Sequence, residues 1–513
     1  MIQRSFEQGK TLMMKVSILS ASRVVPLMCT IVLLFSGRAV AGSVISAQSG
    51  NWSEPSTWVG GQIPSAGDSV IILDGHIIAV DSNGSCATLL VTGGLVESGV
   101  RLNSGISLAV SAFVHINNSI TNNNPKWLDA RDGFVVIGGD LMLTGGSTGN
   151  QWAQLLISSG TATVNGSILM NGVRARVRFN SSGSVRVRGN FSSTGVLSSG
   201  TGMVIYDGTA SQAVGAYTYY NLVIENLADV VLGGNVIVNG NLALINGRVI
   251  LGDMNLTVGP TGSVSGASAL NYLVTNGSGK LAQTAGSGLS VLFPVGTAST
   301  YNPVTLEPEL GSDVFSASVM DSVSPSSNRD SQFVQRTWLI SEASPGANGA
   351  FVIGFEWKAS SEGFAFVRSS AVCWRFDGIS WLQEGTVNGI GGGDPYIATI
   401  TGVSATGSFA LGNETGATSV YDFETPSGFT LSQNYPNPFN PATTIQFAGT
   451  SGFAALRVFN LLGQEVATLY SGSTEAGKSY TVVFDAANLS GGVYMYNLQS
   501  EGRQATRRML LLK

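Results

Sequence analysis

After residue 41, apolar residues alternate with polar ones or run in blocks of three or four between clusters of Gly, Asn and Ser. This is the pattern of short β-strands separated by turns. Val70-Ile71-Ile72-Leu73, Phe134-Val135-Val136-Ile137, Met203-Val204-Ile205 and Leu222-Val223-Ile224 show it well. No stretch after residue 41 has the three-to-four-residue apolar spacing of an amphipathic helix. The pattern predicts an all-β chain. Inside it a shorter pattern recurs: an aliphatic residue, any residue, a glycine, any residue, then an apolar one. It reads Ile137-Gly138-Gly139-Asp140-Leu141, Val164-Asn165-Gly166-Ser167-Ile168, Val187-Arg188-Gly189-Asn190-Phe191 and Val238-Asn239-Gly240-Asn241-Leu242, with a weaker copy at Ala213-Val214-Gly215-Ala216-Tyr217. The central glycines stand at 139, 166, 189, 215 and 240, so the steps are 27, 23, 26 and 25. A step of that size without helices fits one coil of a solenoid, here a right-handed parallel β-helix with about three short strands per coil. Gly and Asn suit corners that need positive φ. The competing arrangement is a meander of antiparallel hairpins.

From about residue 288 the glycine spacing becomes irregular, strands lengthen, and Trp338, Trp357, Trp374 and Trp381 cluster. Long strands with alternating aromatics suggest a two-sheet β-sandwich. Residues 413–427 read as a linker, and 428–513 as a small all-β domain. The expected organisation is therefore a β-helix over 42–287, a β-sandwich over 288–412, a linker over 413–427 and a C-terminal domain over 428–513. Residues 1–41 differ from all of this. Arg4, Lys10, Lys15 and Arg23 precede a short apolar run from Val24 to Phe35, and Ala39-Val40-Ala41 has the small-x-small form of a cleavage site. About 12 apolar residues fall short of the roughly 20 needed to span a bilayer. Residues 1–41 are thus expected to be a signal peptide, with Ala39 and Ala41 at its cleavage site.

Composition narrows the function. Charged residues make up 11% of the 513, where about 25% is usual, and there are 66 glycines. Ample Val, Ile and Leu argue against disorder. The formal charge of −5 becomes −9 once residues 1–41 are removed, which excludes the basic balance of a nucleic-acid-binding domain. No later apolar stretch reaches membrane length, so an exported, soluble mature chain with no transmembrane segment is expected. Cys29 leaves with the signal, and Cys86 and Cys373 form neither a disulfide framework nor a zinc motif. With only His76 and His115 as histidines, a His base or a zinc centre has little to draw on.

The last 86 residues carry a resemblance. Phe429-Thr430-Leu431-Ser432-Gln433-Asn434-Tyr435-Pro436-Asn437-Pro438-Phe439-Asn440-Pro441 resembles the opening motif of type A C-terminal sorting domains of the type IX secretion system. Leu456-Arg457-Val458-Phe459-Asn460-Leu461-Leu462-Gly463-Gln464-Glu465-Val466, then Leu489-Ser490-Gly491-Gly492-Val493-Tyr494, and the ending Arg508-Met509-Leu510-Leu511-Leu512-Lys513 keep the pattern in order. The family usually has Tyr-Asp where this chain has Phe459-Asn460. The resemblance implies a small β-sandwich read by the outer-membrane export machinery. It also implies secretion across the outer membrane, then removal of the domain with release or attachment to surface lipopolysaccharide. The prolines at 436, 438 and 441 are expected to hold an extended lead-in, and Gly463 and Gly492 to shape turns, with Tyr494 and Lys513 closing the motif. Separately, Ser49-Gly50-Asn51-Trp52-Ser53-Glu54-Pro55-Ser56-Thr57-Trp58, followed by Gly67-Asp68-Ser69-Val70 and Asp74-Gly75-His76, is similar to the start of G8-type domains. That likeness covers about 42–130 and implies extracellular ligand binding. Phe293-Pro294-Val295-Gly296 with Tyr301-Asn302-Pro303-Val304 is similar to segments lying between β-helices and sorting domains in secreted proteins.

The strongest candidate binding feature is basic. Arg174, Arg176 and Arg178 alternate with Val173, Ala175, Val177 and Phe179, and Arg186 and Arg188 alternate with Val185 and Val187. Period-two alternation puts the arginines on one face. If the two strands stack on adjacent coils, five guanidinium groups make one patch suited to an anionic polysaccharide or surface glycan. The plainer reading is a solvated outer face. Asp129, Asp132 and Asp140 lack the spacing of a Ca²⁺ loop and read as turn residues. Trp52 and Trp58 read as core aromatics and His76 as a structural hydrogen-bonding group. There is no nucleophile elbow, HExxH or phosphate loop. The expected protein is a non-enzymatic structural or adhesive protein, secreted or held at the cell surface, without cofactor or metal. Its partner is the type IX machinery. The rival is a polysaccharide-binding protein or a β-helical lyase or hydrolase.

Overall fold

A computed structural model describes residues 41–119, 124–191, 194–325, 330–346, 349–378, 380–414, 429–434, 436–475, 478 and 480–512. The cleavage-site Ala39, the rest of the expected signal peptide up to residue 40, the linker from 415 onward, Tyr435 and Lys513 lie outside the described residues.

The first part of the chain is a parallel β-solenoid. Eleven strands, from Ala41–Ile45 to Ser263–Ser265, follow one another along a single long sheet. A second sheet of seven strands runs from Gly50–Asn51 to Val196–Ser198 on another face. Where it ends, two further faces begin, at Gln212–Val214 and Thr218–Tyr219. One coil shows the plan: Thr161–Val164, Ile168–Asn171 and Ala175–Phe179, after which Ser184–Val187 pairs in parallel with Thr161–Val164 to start the next. The parallel ladders exclude the hairpin meander.

Registers explain why the apolar pattern is so regular. Val135, Ala162, Val185, Val204 and Leu222 fall in one row, and Ile137, Val164, Val187, Tyr206 and Ile224 in the next. All ten are buried. Stacking like on like gives every coil the same apolar interior, each methylene contributing roughly 0.8 kcal/mol when removed from water. Corners are stitched by side chains that accept from the next coil. Asp140 accepts from Ser167 N–H, Ser167 Oγ from Asn190 N–H, and Asn190 Oδ1 from Ala213 N–H, at 2.7, 3.1 and 2.8 Å.

The recurring glycines are needed for a reason other than the expected one. None of Gly139, Gly166, Gly189, Gly215 and Gly240 has positive φ. A Cβ on Gly166 would lie 2.6 Å from the carbonyl carbon of Gly139, and one on Gly189 the same distance from that of Gly166. Close approach of neighbouring coils, not left-handed backbone, selects glycine there. Only 139, 166 and 189 stack on one another. Gly215 packs near Tyr217 and Phe191, and Gly240 on Tyr220 and Asn221.

The solenoid passes directly into antiparallel sheet. Leu281–Gly286 pairs in parallel with Leu256–Val258 on one side and antiparallel with Ser312–Met320 on the other. The resulting nine-stranded sheet faces a second antiparallel sheet, Val291–Phe293, Val304–Pro308, Phe351–Trp357, Tyr396–Val403 and Thr386–Gly392. Trp338 stacks on Phe355 with centroids 4.5 Å apart, and Phe315 meets Phe351 edge-on. One apolar cluster extends from Val44 to Leu411. The change of texture near residue 288 thus marks a change of strand direction within a continuous core, and Val295–Gly296 is still a parallel coil strand.

Residues 429–512 contain two further antiparallel sheets with a core of their own. One holds Thr430–Leu431, Ala442–Ala448 and Tyr480–Asp485; the other holds Glu465–Thr474, Gly452–Phe459, Gly492–Ser500 and Arg503–Leu511. No helix among the described residues is long and apolar enough to cross a membrane.

A buried charge ties three coils together. Lys126 is fully buried, and its ammonium donates to Asp74 Oδ1 at 2.7 Å, to Ser98 Oγ and to the Val96 carbonyl. Asp74 also accepts from the N–H groups of Leu95 and Val96. Burial pushes the Asp74 carboxyl up, but the bonds from Lys126 and Val96 outweigh it and leave the group below its ordinary value.

Two outcomes follow. Gly166→Ala should destabilise the solenoid by about 1–3 kcal/mol through overpacking, seen as a lower melting temperature. Asp74→Asn, which leaves the Lys126 ammonium without its counter-charge, should cost about 3–5 kcal/mol in chemical denaturation. Because the Asp74 value is depressed on folding, its contribution is complete above the ordinary carboxyl value and is lost on acidification below it. That acid-linked loss should be absent from Asp74→Asn.

Candidate functional site

The five arginines do not form one patch. Arg176 and Arg178 lie on Ala175–Phe179, in the second sheet, with Arg174 just before that strand. Arg186 lies on Ser184–Val187, in the long sheet, with Arg188 just after it. The two strands belong to different faces and are joined by the turn at 180–183, so they cannot stack on adjacent coils. The alternation of the sequence is correct: Ala175, Val177, Phe179, Val185 and Val187 are buried, while the arginines point outward.

The two groups differ in their electrostatics. On the long sheet, Arg186 Nη1 donates to Asp207 Oδ2 and Glu225 Oε2, both at 2.9 Å. Arg188 reaches Asp207 Oδ2 at 3.4 Å and Asn165 Oδ1 at 3.1 Å. Register brings this set together, because Arg186, Ile205 and Val223 share one row and Asp207 and Glu225 end the neighbouring strands. Two cations and two carboxylates thus form a closed, charge-balanced network. Both ion pairs of Asp207 fall on one oxygen; the other is buried without a hydrogen-bond partner.

On the second sheet Arg101 is paired with Asp129, but Arg174, Arg176 and Arg178 have no such counter-charge. Among the described residues no carboxylate lies within ion-pair distance of Arg174, Arg176 or Arg178. Arg174 and Arg176 have an aromatic neighbour and Arg176 an amide one. The Arg176 guanidinium sits 4.1 Å from the centre of the Trp152 ring, and that of Arg174 sits 4.8 Å from it. Arg176 also donates through Nε and Nη2 to Gln154 Oε1, at 3.1 and 2.6 Å. Gln154 pairs with Arg176 across the ladder and is itself buried. Burial first, then the charges of Arg178 and Arg174, draw the Arg176 guanidinium below its ordinary value. Trp152 and Gln154 escape a sequence reading because they lie one coil away from the arginines. Their place in the site depends on the coil-to-coil register.

The other singled-out residues have local structural partners. Asp129 binds Arg101 and the N–H of Arg131, Asp132 accepts from Ser104, and Asp140 from Ser167. Among the described residues no three His, Cys, Asp or Glu side chains converge as a metal site requires. Trp52 and Trp58 are buried edge to face, 5.3 Å apart. The His76 ring is 2.8 Å from Ser46 Oγ. Cys86 and Cys373 are free and buried, and burial with the nearby Asp68 pushes the Cys86 thiol up to about 12.

The C-terminal motif is a closure device rather than an extended lead-in. Asn437 Oδ1 accepts from Leu510 N–H at 2.9 Å. Phe439 N–H donates to the Leu510 carbonyl, and Leu512 N–H donates back to the Phe439 carbonyl. Phe439 itself is buried against Phe484. The opening Asn-Pro-Phe-Asn-Pro run is therefore laid on the chain's last strand, and the bonds before Pro438 and Pro441 are cis. Asn434 donates to the Pro436 carbonyl and Thr443 Oγ1 and takes its own N–H to Tyr496 Oη. Gly463 sits at φ +77 in a turn whose N–H groups are capped by Asn460 Oδ1. The Tyr494 hydroxyl donates to the Ser490 carbonyl, holding the turn before Gly492. Phe439→Ala should cost about 3–5 kcal/mol. Limited proteolysis of the full chain should then cut within 429–512 at protease levels the unaltered protein resists.

No curated protein and no solved structure matches the chain. Residues 433–512 match the profile of a family described as the secretion system C-terminal sorting domain. The chain thus ends in a secretion sorting tail, which indicates export and an extracellular or cell-surface location.

Proposed function

We propose that this chain is a structural or adhesive protein of the bacterial cell surface, exported through the type IX secretion system with its C-terminal domain as the sorting signal. The observation that carries this reading is a sorting-domain match at 433–512 on the same chain as a long parallel solenoid. In this reading residues 1–41 direct passage across the inner membrane and are removed. The two sheets of 429–512 act as a β-sandwich presented to the export machinery. The solenoid, a right-handed β-helix given the strong preference for right-handed crossovers, is the exported cargo. Its repetitive interior and self-capping corners suit a rigid spacer that displays an outer face.

We further propose that the role is binding or support rather than catalysis. Asp207 and Glu225 are brought together on the long sheet, and both ion-pair with Arg186. A glycosidase pair needs one carboxyl free to hold a proton and another free to attack or to activate water.

Deleting residues 429–513 in a host with a type IX system should leave the protein in the periplasm and remove it from surface and medium. Export of the truncated chain at the normal level would overturn the sorting role. Incubating the full chain with neutral and acidic polysaccharides should release no shorter products, and product release would overturn the non-catalytic reading.

A further inference from the structure

The solenoid treats its arginines in two ways. Arg101 is paired with Asp129, Arg186 and Arg188 with Asp207, and Arg248 with Asp229. Arg174, Arg176 and Arg178 have no carboxylate partner among the described residues, although they stand on a chain whose overall charge is negative. The column through Arg178 continues to Leu156 and then Asp129, so the nearest acid in that column is two strands away, roughly 9–10 Å, and is already bound to Arg101. Holding three like charges about 6–7 Å apart along one strand is unfavourable by itself.

The side chains are nevertheless held in place. Trp152 lies under both Arg174 and Arg176, and Gln154 takes two bonds from Arg176. Arg174 Nε is buried and, among the described residues, has no hydrogen-bond partner. Arg178 is exposed at the other end of the row. The face is an open sheet surface, so its charges form a line spanning roughly 13 Å. Such a line matches a polymer with an anion on successive units better than a single small anion. The Trp152 ring, covered by the two guanidiniums, holds them in line along the face.

We infer that Arg174, Arg176 and Arg178, with Trp152 and Gln154, form a binding site for an acidic polysaccharide whose carboxylate or sulfate groups replace the missing counter-charges. The inference rests on the extracellular reading of the solenoid given above. It narrows the glycan-binding face to the second sheet and removes Arg186 and Arg188 from it. Guanidinium forks bind both oxyanions bidentately, so the shared chemistry is a planar or tetrahedral oxyanion repeated along a sugar chain.

The test uses the full secreted chain on four immobilised probes: polygalacturonate, dextran sulfate, neutral dextran and a single-stranded oligonucleotide. Retention on polygalacturonate or dextran sulfate, weakening with salt, is expected, and the preferred matrix tells carboxylate from sulfate. Arg176→Gln should lower that retention roughly tenfold, and the Arg174→Gln/Arg176→Gln/Arg178→Gln variant should abolish it, with unchanged circular dichroism. Arg188→Gln, outside the proposed site, should bind as the unaltered protein does. Equal retention of the triple variant, retention by neutral dextran alone, or no retention on either polyanion overturns the site and leaves a solvated face. Tighter binding to the oligonucleotide than to both polyanionic glycans overturns the polysaccharide assignment. Failure of the export experiment would remove the extracellular setting but would not change these binding results.

Discussion

Parallel, in-register stacking of coil on coil is the constraint on which the rest of this structure depends. Neighbouring strands lie about 4.8 Å apart, so every inward side chain meets its counterpart from the coil before. That requirement explains the rows Val135 to Leu222 and Ile137 to Ile224, which stay aliphatic or accept a Tyr only where Tyr206 and Tyr219 can bond each other. It explains glycine where a Cβ would strike the preceding backbone. It also explains the polar corners, where Asp140, Ser167 and Asn190 each satisfy an N–H of the following coil. A single geometry thus sets interior and corners of the solenoid together.

A stack of parallel strands has an open end, and an open sheet edge invites pairing with other chains. On one face this chain covers that edge with antiparallel strand Ser312–Met320, so sheet and core run on without a seam into the aromatic region around Trp338 and Phe355. The C-terminal domain applies a similar economy to itself. Its opening Asn-Pro-Phe-Asn segment is bonded to its last strand through Asn437 and Phe439. The two ends of the sorting motif therefore sit together in space, although some 70 residues separate them in sequence. A segment closed this way is complete only when the domain has folded.

On the outer surface, electrostatics divides what the sequence runs together. Arg186 and Arg188 are balanced by Asp207 and Glu225 within the same sheet. Arg174 and Arg176 share Trp152 instead, Arg176 also bonds Gln154, and Arg178 is exposed beside them. Paired charges at a surface contribute little and hold geometry, whereas clustered unpaired ones raise the local potential. The difference arises from which strand lies next in the stack, because the carboxylates come from the two following coils of the long sheet.

The sequence by itself determined the all-β class, the solenoid, the outward direction of all five arginines and the C-terminal sorting motif. Each of these is written in local alternation or in contiguous residues, and local pattern is what strand geometry reads directly. The expected step near 25 does not hold, since the stacked row Ile137, Val164, Val187, Tyr206 and Ile224 steps by 27, 23, 19 and 18. Only the tertiary structure decided that Arg178 and Arg186 lie on different faces, because a turn of a few residues can end one face and start another without any mark in the alternation. Only the fold could bring Trp152 and Gln154 to Arg176, or Asp207 and Glu225 to Arg186, since these contacts join residues about 20 to 40 apart through coil register. The role of Gly139, Gly166 and Gly189 was hidden for the same reason. Their composition shows that a side chain is excluded, but the atom that excludes it belongs to the neighbouring coil.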